Sequence, residues 1–279
     1  MMKKTITNLL LQKFKIDVLK YENSFFQKSL AKRISDTYCE SEEAYCVFLE
    51  QSYIENQLFA ESLNVSYSEF FRNPLTFSVL EKVFLPSRVI RSSKNKQNEI
   101  RIWSAACAEG QETYSLAMLL HELNAARAEK INFRIFATDC SEKQIAIAQK
   151  GQFSELEINN LSLKRIHQWF DKQGDVYIVK DELRENIEFS TFDLFNEEFM
   201  CPPSSIFGDF DLVICANLLF YYKPQYQNII LKKVAHSLAK NGVLITGETE
   251  REILMHNFFE EVYPQSAIFK IIDSKPFRP

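Results

Sequence analysis

The residues best suited to chemistry lie at the ends of two mostly apolar runs in the middle of the chain. The run at 100–103 leads into a turn of small residues, 104–110, and the run at 133–137 is followed by Thr138 and Asp139. A helical pattern separates the two runs. In a strand–helix–strand unit, such a turn presents backbone N–H groups, and an acid at the next strand end accepts both hydroxyls of a ribose. The spacing therefore predicts a site for a nucleoside-bearing cofactor.

The glycine content of the turn narrows the choice of cofactor. Dinucleotide sites usually carry G-x-G-x-x-G, which lets the backbone touch a pyrophosphate, whereas the turn at 104–110 contains one glycine, Gly110. A phosphate-free nucleoside such as S-adenosylmethionine is therefore favoured. An ordinary strand–helix–strand unit with an exposed aspartate is the alternative that this motif alone leaves open.

The composition is typical of globular proteins and argues against several classes of function. The 279 residues are 46% hydrophobic and 25% charged, which suits one large or two modest domains. A net charge of −4 argues against nucleic-acid binding. The sequence has no apolar run of about 18 residues and no apolar core of a secretion signal, so we expect a cytoplasmic location without membrane insertion. The cysteines lack metal-ligand spacing, and no metal site is predicted.

Hydrophobic periodicity predicts the elements that position these residues. Helical spacing without glycine runs from Leu9 to about Val89, which predicts a small all-helical N-terminal domain with its linker at 1–88. From 89 to 279, strand-like runs alternate with helices, as in a doubly wound α/β sheet. The alternation breaks at about 152–186, where we expect a small inserted β-subdomain.

The carboxyl ends of the strands are where an open α/β sheet binds its ligands. The predicted ends bring together the turn at 104–110, Asp139, Asp193 with Leu194, and residues 216–221. Each of these ends contains polar residues and follows an apolar run. Agreement across several strands is more specific than any one motif.

Several stretches of the chain resemble motifs of the CheR-type chemoreceptor glutamate methyltransferases. They are Ser-Glu-Phe-Phe-Arg at 68–72, the segment from Trp103 to Ser115, Ala-Thr-Asp at 137–139, the segment 210–221, and Gly-x-x-Glu at 247–250. The resemblance implies a Rossmann-like methyltransferase fold and S-adenosylmethionine as cofactor, with S-adenosylhomocysteine as product. It also implies a substrate, the glutamate side chains on the cytoplasmic helical domain of chemoreceptors, which become methyl esters.

The resemblance further implies which residues contact the cofactor: Ser66, Ser68, Arg72, Glu112, Asp139, Asp193, Leu194, Ala216 and Asn217. In the family, the position of Glu112 meets the methionine part, and that of Asp139 holds the ribose hydroxyls. Arg72 and Tyr221 would lie nearest the transferring methyl and the incoming carboxylate. These two residues are therefore the predicted catalytic pair.

One departure from the family pattern defines the alternative function. Ala216 stands where the family usually has arginine, so the alternative is a weak or inactive adaptor that binds cofactor and receptor. Such an adaptor would use the helix with Lys28, Lys32 and Arg33 to recognise acidic receptor bundles. Methylation of a small molecule or a nucleic acid would need a pocket or a basic groove that the sequence does not indicate.

The inserted segment resembles a subdomain that binds a receptor tail peptide in some family members. Its turn at 171–175 is short, as in members that do not depend on the tail. We therefore expect receptor binding that does not depend on the tail. We separately expect the protein to be a monomer.

Overall fold

The computed structural model describes residues 6–64, 67–88, 99–128 and 130–272. The chain forms two compact units. The smaller unit contains Met1–Val65 and Phe220–Asn228, and the larger contains Ser66–Leu219 and Ile229–Pro279.

The smaller unit is helical, as the sequence predicts. Its helices are α1 Ile6–Phe14, α2 Asn23–Asp36, α3 Glu42–Gln51 and α4 Tyr53–Ser62. The side chains of Ser41 and Ser52 accept hydrogen bonds from the first turns of α3 and α4, which satisfies N–H groups that a helix start leaves unpaired. Leu10, Tyr45 and Phe59 are fully buried in its core.

The larger unit is built on a seven-stranded sheet with the order β6-β2-β1-β7-β8-β10-β9. Its strands are β1 Glu99–Ala105, β2 Asn132–Asp139, β6 Ile187–Thr191, β7 Phe210–Ile214, β8 Leu238–Ile245, β9 Phe259–Glu261 and β10 Ile268–Ile271. Strands β6, β2, β1, β7 and β8 run parallel, and β10 pairs antiparallel with β8 and β9. The parallel strands therefore end at one edge, as the doubly wound prediction requires.

The helices of the larger unit precede or connect these strands. They are α5 Pro74–Val79, which continues as a π-helical turn Leu80–Phe84, then α6 Gln111–Ala125, α7 Glu142–Lys150, α8 Leu163–Trp169, α9 Asp181–Arg184, α10 Pro224–Ser237 and α11 Arg251–Met255. Helix α10 begins in the residues assigned to the smaller unit. Helix α6 carries the buried residues Tyr114, Leu116 and Leu120, which join the core of the larger unit.

A second, three-stranded antiparallel sheet forms the insertion. Its strands are β3 Gln152–Ser154, β4 Phe170–Gln173 and β5 Val176–Val179, in the order β3-β5-β4. The turn between β4 and β5 contains Gly174 at φ +61°, a conformation that glycine adopts without strain. The expected independence of a receptor tail stays a prediction.

The observed division between the units differs from the boundary that the sequence suggests at 88. Phe70, Phe77, Leu80 and Phe84 are buried in the core of the larger unit, so residues 66–88 belong with the sheet. Helical periodicity fits both units equally and does not identify the core that a helix joins. The polar linker expected at 87–98 lies largely outside the described residues.

Two further features concern the described part of the chain. None of its helices combines the length and apolar character that crossing a membrane requires. Within the same residues, no group of three or more His, Cys, Asp or Glu side chains is arranged to hold a metal ion.

Candidate active site

The turn after β1 is tightly folded and strained. Ala106, Ala108 and Gly110 all adopt left-handed backbone angles, at φ +63°, +47° and +92°. An L-residue pays about 1–2 kcal/mol for this conformation, whereas glycine pays almost nothing. A Cβ at Gly110 would lie 3.1 Å from Cβ of Ala148, so the close approach of α7 also favours glycine here.

Asp139 ends β2 beside this turn. Its Oδ2 accepts a hydrogen bond from the N–H of Ala108 at 3.0 Å, and its Oδ1 accepts one from the N–H of Ser141 at 2.9 Å. Burial raises the pKa of Asp139, and the hydrogen bonds from Ser141, Ala108 and Cys140 oppose that rise. The residue keeps 8% of its surface exposed. A carboxylate with this opening can accept further hydrogen bonds from a ligand.

Glu112 lies in the first turn of α6, two residues after Gly110. Desolvation raises the pKa of this carboxyl to about 8, with Glu250 adding to the rise and Arg72 opposing it. The arrangement brings a carboxyl that is hard to ionise into the field of one cation and one further acid. A ligand with an ammonium group would favour the ionised form of Glu112, because an opposite charge nearby lowers the pKa of a carboxyl.

The segment that carries Arg72 is anchored by its two phenylalanines. Phe70 is fully buried, and its ring centroid lies 4.9 Å from that of Phe153 in β3 and 5.8 Å from that of Phe170 in β4. Phe71 adopts φ +52°, and its N–H donates to Oγ of Ser115 in α6 at 3.1 Å. The inserted sheet and α6 thus fix the backbone just before Arg72.

The guanidinium of Arg72 is held at the surface of the larger unit. It donates to the carbonyl oxygen of Tyr67 at 3.0 Å and lies 5.0 Å from the centroid of that ring. Ser68, in the same segment, is half-buried. Ser66 lies outside the described residues.

The loop after β6 contains two predicted site residues and is held by a buried lysine. Asp193 is exposed, and its Oδ1 accepts a hydrogen bond from the N–H of Phe195 at 2.9 Å, while Leu194 is buried. The loop is secured by the buried ammonium of Lys233, which donates to the carbonyl oxygen of Phe199 at 2.7 Å and to that of Asn196. Sequence reasoning missed Lys233, since a lysine in a helix is usually a solvated residue.

The residues after β7 complete this edge of the sheet. Ala216 and Asn217 are half-buried, and Asn217 adopts a left-handed conformation at φ +59°. The N–H of Asn217 donates to the carboxylate of Glu250 at 2.8 Å. Sequence reasoning assigned no role to Glu250, although the residue lies in the motif at 247–250. In the structure this acid is hydrogen-bonded to the backbone of Asn217, a predicted site residue.

Tyr221 belongs to the smaller unit. Its carbonyl oxygen accepts a hydrogen bond from the N–H of Glu22 at 2.8 Å, and its ring centroid lies 4.8 Å from that of Phe25 in α2. Its proposed role next to the methyl group stays a prediction.

The basic helix suggested for docking is only partly available. Lys28 and Lys32 are exposed on α2. Arg33, however, donates to the carboxylate of Glu55 at 2.9 and 2.6 Å, and Glu55 also accepts from the hydroxyl of Tyr45 at 2.7 Å. Arg33 is therefore part of an internal ion pair that holds α2 to α4, which helical spacing alone did not reveal.

Comparison with known proteins places this geometry among methyltransferases. The family model described as the CheR methyltransferase, SAM binding domain, matches residues 66–267. A chemotaxis protein methyltransferase of Listeria monocytogenes is 32% identical over 193 residues, which are 69% of this chain and 68% of that protein. Chemotaxis protein methyltransferase 1 of Pseudomonas aeruginosa is 30% identical over 198 residues, or 70% of this chain and 69% of that protein.

A further relative shows the match within a much longer chain. An uncharacterised 104.1 kDa protein of Rhodobacter capsulatus is 25% identical over 257 residues. The match takes in 92% of this chain and 26% of that protein.

Proposed function

This chain belongs to the CheR methyltransferase family, and we propose that it transfers methyl groups from S-adenosylmethionine to glutamate side chains on the cytoplasmic helical domain of chemoreceptors. The family resemblance of the motifs is confirmed by the match over residues 66–267. Within the family, chemotaxis methyltransferases share about two thirds of their length with this chain. The substrate and the ester product are the proposed part of this function.

The observation that carries the proposal is the set of charges at the carboxyl edge of the sheet. A carboxyl with a pKa raised to about 8, Glu112, lies in the field of Arg72, and a second carboxylate with some open surface, Asp139, ends the neighbouring β2. S-Adenosylmethionine carries an ammonium and a ribose, which these two acids suit. The tight turn with a single glycine suits a cofactor without phosphates.

We infer the following roles for the residues of the site. Glu112 holds the ammonium, Asp139 the ribose hydroxyls, and the residues after β6 and β7 the adenine and the methionine chain; bound S-adenosylmethionine supplies an activated methyl on sulfur. A glutamate substrate is ionised near neutral pH and needs no general base. The guanidinium of Arg72 orients the incoming carboxylate, and the hydroxyl of Tyr221 contributes to the transfer step.

Transfer of label to receptors tests this proposal directly. Labelled S-adenosylmethionine is incubated with the protein and receptor-bearing membranes, and base-labile label on the receptor is counted. We expect Arg72→Gln to lower the rate about a hundredfold, the scale of losing alignment at a reacting centre, and to weaken cofactor binding by a smaller factor, because Arg72 is one of several cofactor contacts. Arg134→Gln, which removes an exposed arginine at the start of β2, is the matched control.

The outcomes of this assay separate the proposed enzyme from the adaptor. Base-labile label that depends on Arg72 supports glutamate methylation, and we expect Tyr221→Phe to lower the same rate. Cofactor binding by calorimetry without any label on the receptor contradicts the proposal and favours an adaptor. Label that resists base contradicts the ester product but not the use of S-adenosylmethionine.

A further inference from the structure

Glu250 lies in the turn after β8 and is completely buried. Its Oε2 accepts hydrogen bonds from the N–H of Asn217 at 2.8 Å, the hydroxyl of Thr246 at 2.7 Å and the N–H of Gly247 at 2.9 Å. Its Oε1 accepts one from the N–H of Leu219 at 2.6 Å. Burial raises the pKa of Glu250, and these four hydrogen bonds oppose that rise. Three of the four partners are backbone N–H groups, which can only donate, so the ionised carboxylate fits them best.

These bonds join the ends of two neighbouring strands. Strands β7 and β8 run parallel with Ile214 opposite Ile245. Asn217 and Leu219 follow β7, whereas Thr246 and Gly247 follow β8. A buried N–H group needs an acceptor, and here one carboxylate supplies it to both loops. A single side chain therefore bridges the two loops.

The hydrogen bonds from the two loops to Glu250, which we call the brace, also involve the backbone of Asn217. Its left-handed φ of +59° is one that asparagine tolerates better than most residues but that still carries strain. The side chain passes close over Gly247, where a Cβ would lie 2.5 Å from Nδ2 of Asn217 and 3.0 Å from Oε2 of Glu250. The bond to Glu250 fixes the backbone of Asn217, and the missing side chain at Gly247 leaves room for its amide.

We propose that Glu250 is a positioning residue for the cofactor site, which fixes the loop after β7 so that Asn217 faces the cofactor. The proposal rests on the proposed function, in which Asn217 lines the methionine pocket. Glu250 itself touches neither cofactor nor substrate in this assignment, because all of its surface is covered by protein.

Glu250 also acts on the site through its charge. The carboxylate adds to the rise in the pKa of Glu112, after the larger effect of desolvation, and Arg72 opposes it. The thiols of Cys107 and Cys215, which also lie in the field of Glu112, are neutral because burial raises their pKa well above the usual value. Removal of the Glu250 charge should therefore lower the pKa of Glu112.

Hydrogen exchange without any cofactor tests the brace itself. Glu250→Gln keeps the size of the side chain but replaces one accepting oxygen with an NH₂ group, so at least one of the loop N–H groups loses its acceptor. We expect faster exchange in peptides spanning 215–222 and unchanged exchange in β1 and β2. Glu248→Gln removes an exposed acid two residues away and serves as the control. Unchanged exchange in folded Glu250→Gln overturns the proposal.

Binding of S-adenosylhomocysteine tests the consequence for the site. We expect calorimetry to give a Kd about ten- to a hundredfold higher in Glu250→Gln, by analogy with the loss of groups that orient metal ligands. The pH midpoint of binding should also move down, because a like charge near Glu112 is gone. A purely structural role would lower Tm without moving this midpoint.

Two further variants keep the proposal falsifiable if Glu250→Gln does not fold. Gly247→Ala keeps the carboxylate but crowds Asn217, so we expect weaker binding at an unchanged midpoint. Thr246→Val removes one of the donors to Glu250 and should speed exchange at 215–222 without moving the midpoint. If both variants match wild type, the proposal fails. If wild type itself binds no S-adenosylhomocysteine, the proposed function fails, and the exchange result alone decides the role of Glu250.

Discussion

Asp139 and Glu250 are both carboxylates at the same edge of the sheet, yet they are set up for opposite tasks. Asp139 is bonded to N–H groups of its own strand end and of the turn after β1, and keeps 8% of its surface open. Glu250 has no exposed surface and receives its hydrogen bonds from the loops of two strands. An acid with open surface can still meet a ligand, whereas an enclosed one acts only on the protein groups around it.

The largest effect on cofactor binding is expected from removal of the partly exposed carboxylate, Asp139. We expect Asp139→Ala to weaken binding of S-adenosylhomocysteine by about 1–3 kcal/mol, the loss of charge-assisted hydrogen bonds, which is a rise in Kd of about 5- to 150-fold by calorimetry. Glu155→Gln, an exposed acid in the insertion, is the control. Wild-type affinity in Asp139→Ala would place the ribose site elsewhere.

A change of pH sharpens the comparison through a third acid. The pKa of Glu112 is raised to about 8, so this carboxyl is mostly protonated at pH 6 and ionises as the pH rises to 8. Binding of a cationic ammonium by the ionised form should therefore strengthen over that window. Calorimetry should give a Kd for S-adenosylhomocysteine that falls several-fold from pH 6 to 8 in wild type and does not change in Glu112→Gln.

Equal pH dependence of the Kd in wild type and Glu112→Gln would mean that Glu112 is not part of the site.

The free energy of unfolding should also depend on pH through Glu112. A carboxyl whose pKa is raised on folding binds more protons in the native state, so its contribution to stability is lost as the pH rises from the unfolded pKa toward the folded one. Glu112→Gln should be less sensitive to pH over that range in chemical unfolding.

The smallest expected effect concerns the backbone that faces Asp139. Ala108 donates to Asp139 from a left-handed conformation at φ +47°. Glycine adopts this conformation without the cost of about 1–2 kcal/mol, although it also makes the unfolded chain more flexible. We expect Ala108→Gly to raise the free energy of unfolding by up to about 1 kcal/mol in urea, with little change in affinity. A loss of stability would mean that the turn is not strained.

Much of the carboxyl edge of the sheet could be predicted from the sequence, because its features depend on residues that are close together in the chain. An apolar run followed by an acid predicted both β2 and the position of Asp139 at its end, and small residues predicted the turn after β1. Alternation of strand and helix patterns predicted the parallel sheet. The family match confirms the type of domain that these patterns indicate.

Other features depend on residues that are far apart in the chain. The pairing of Arg33 with Glu55 bridges two helices, so a predicted docking cation is instead one partner of an internal ion pair. Residues 66–88 have the periodicity of the N-terminal helices but bury their phenylalanines in the larger unit. A repeat pattern identifies the face of a helix that is buried and does not identify the partner.

The sequence by itself determined the order of strands and helices, the turn with its single glycine and the acid after β2, because each follows from local periodicity and backbone preference. Only the tertiary structure decided that Glu250 spans two loops and that Phe70 anchors Arg72 against the inserted sheet. Those roles come from burial and from hydrogen bonds between distant segments. Such contacts form only when the sheet brings its strand ends together.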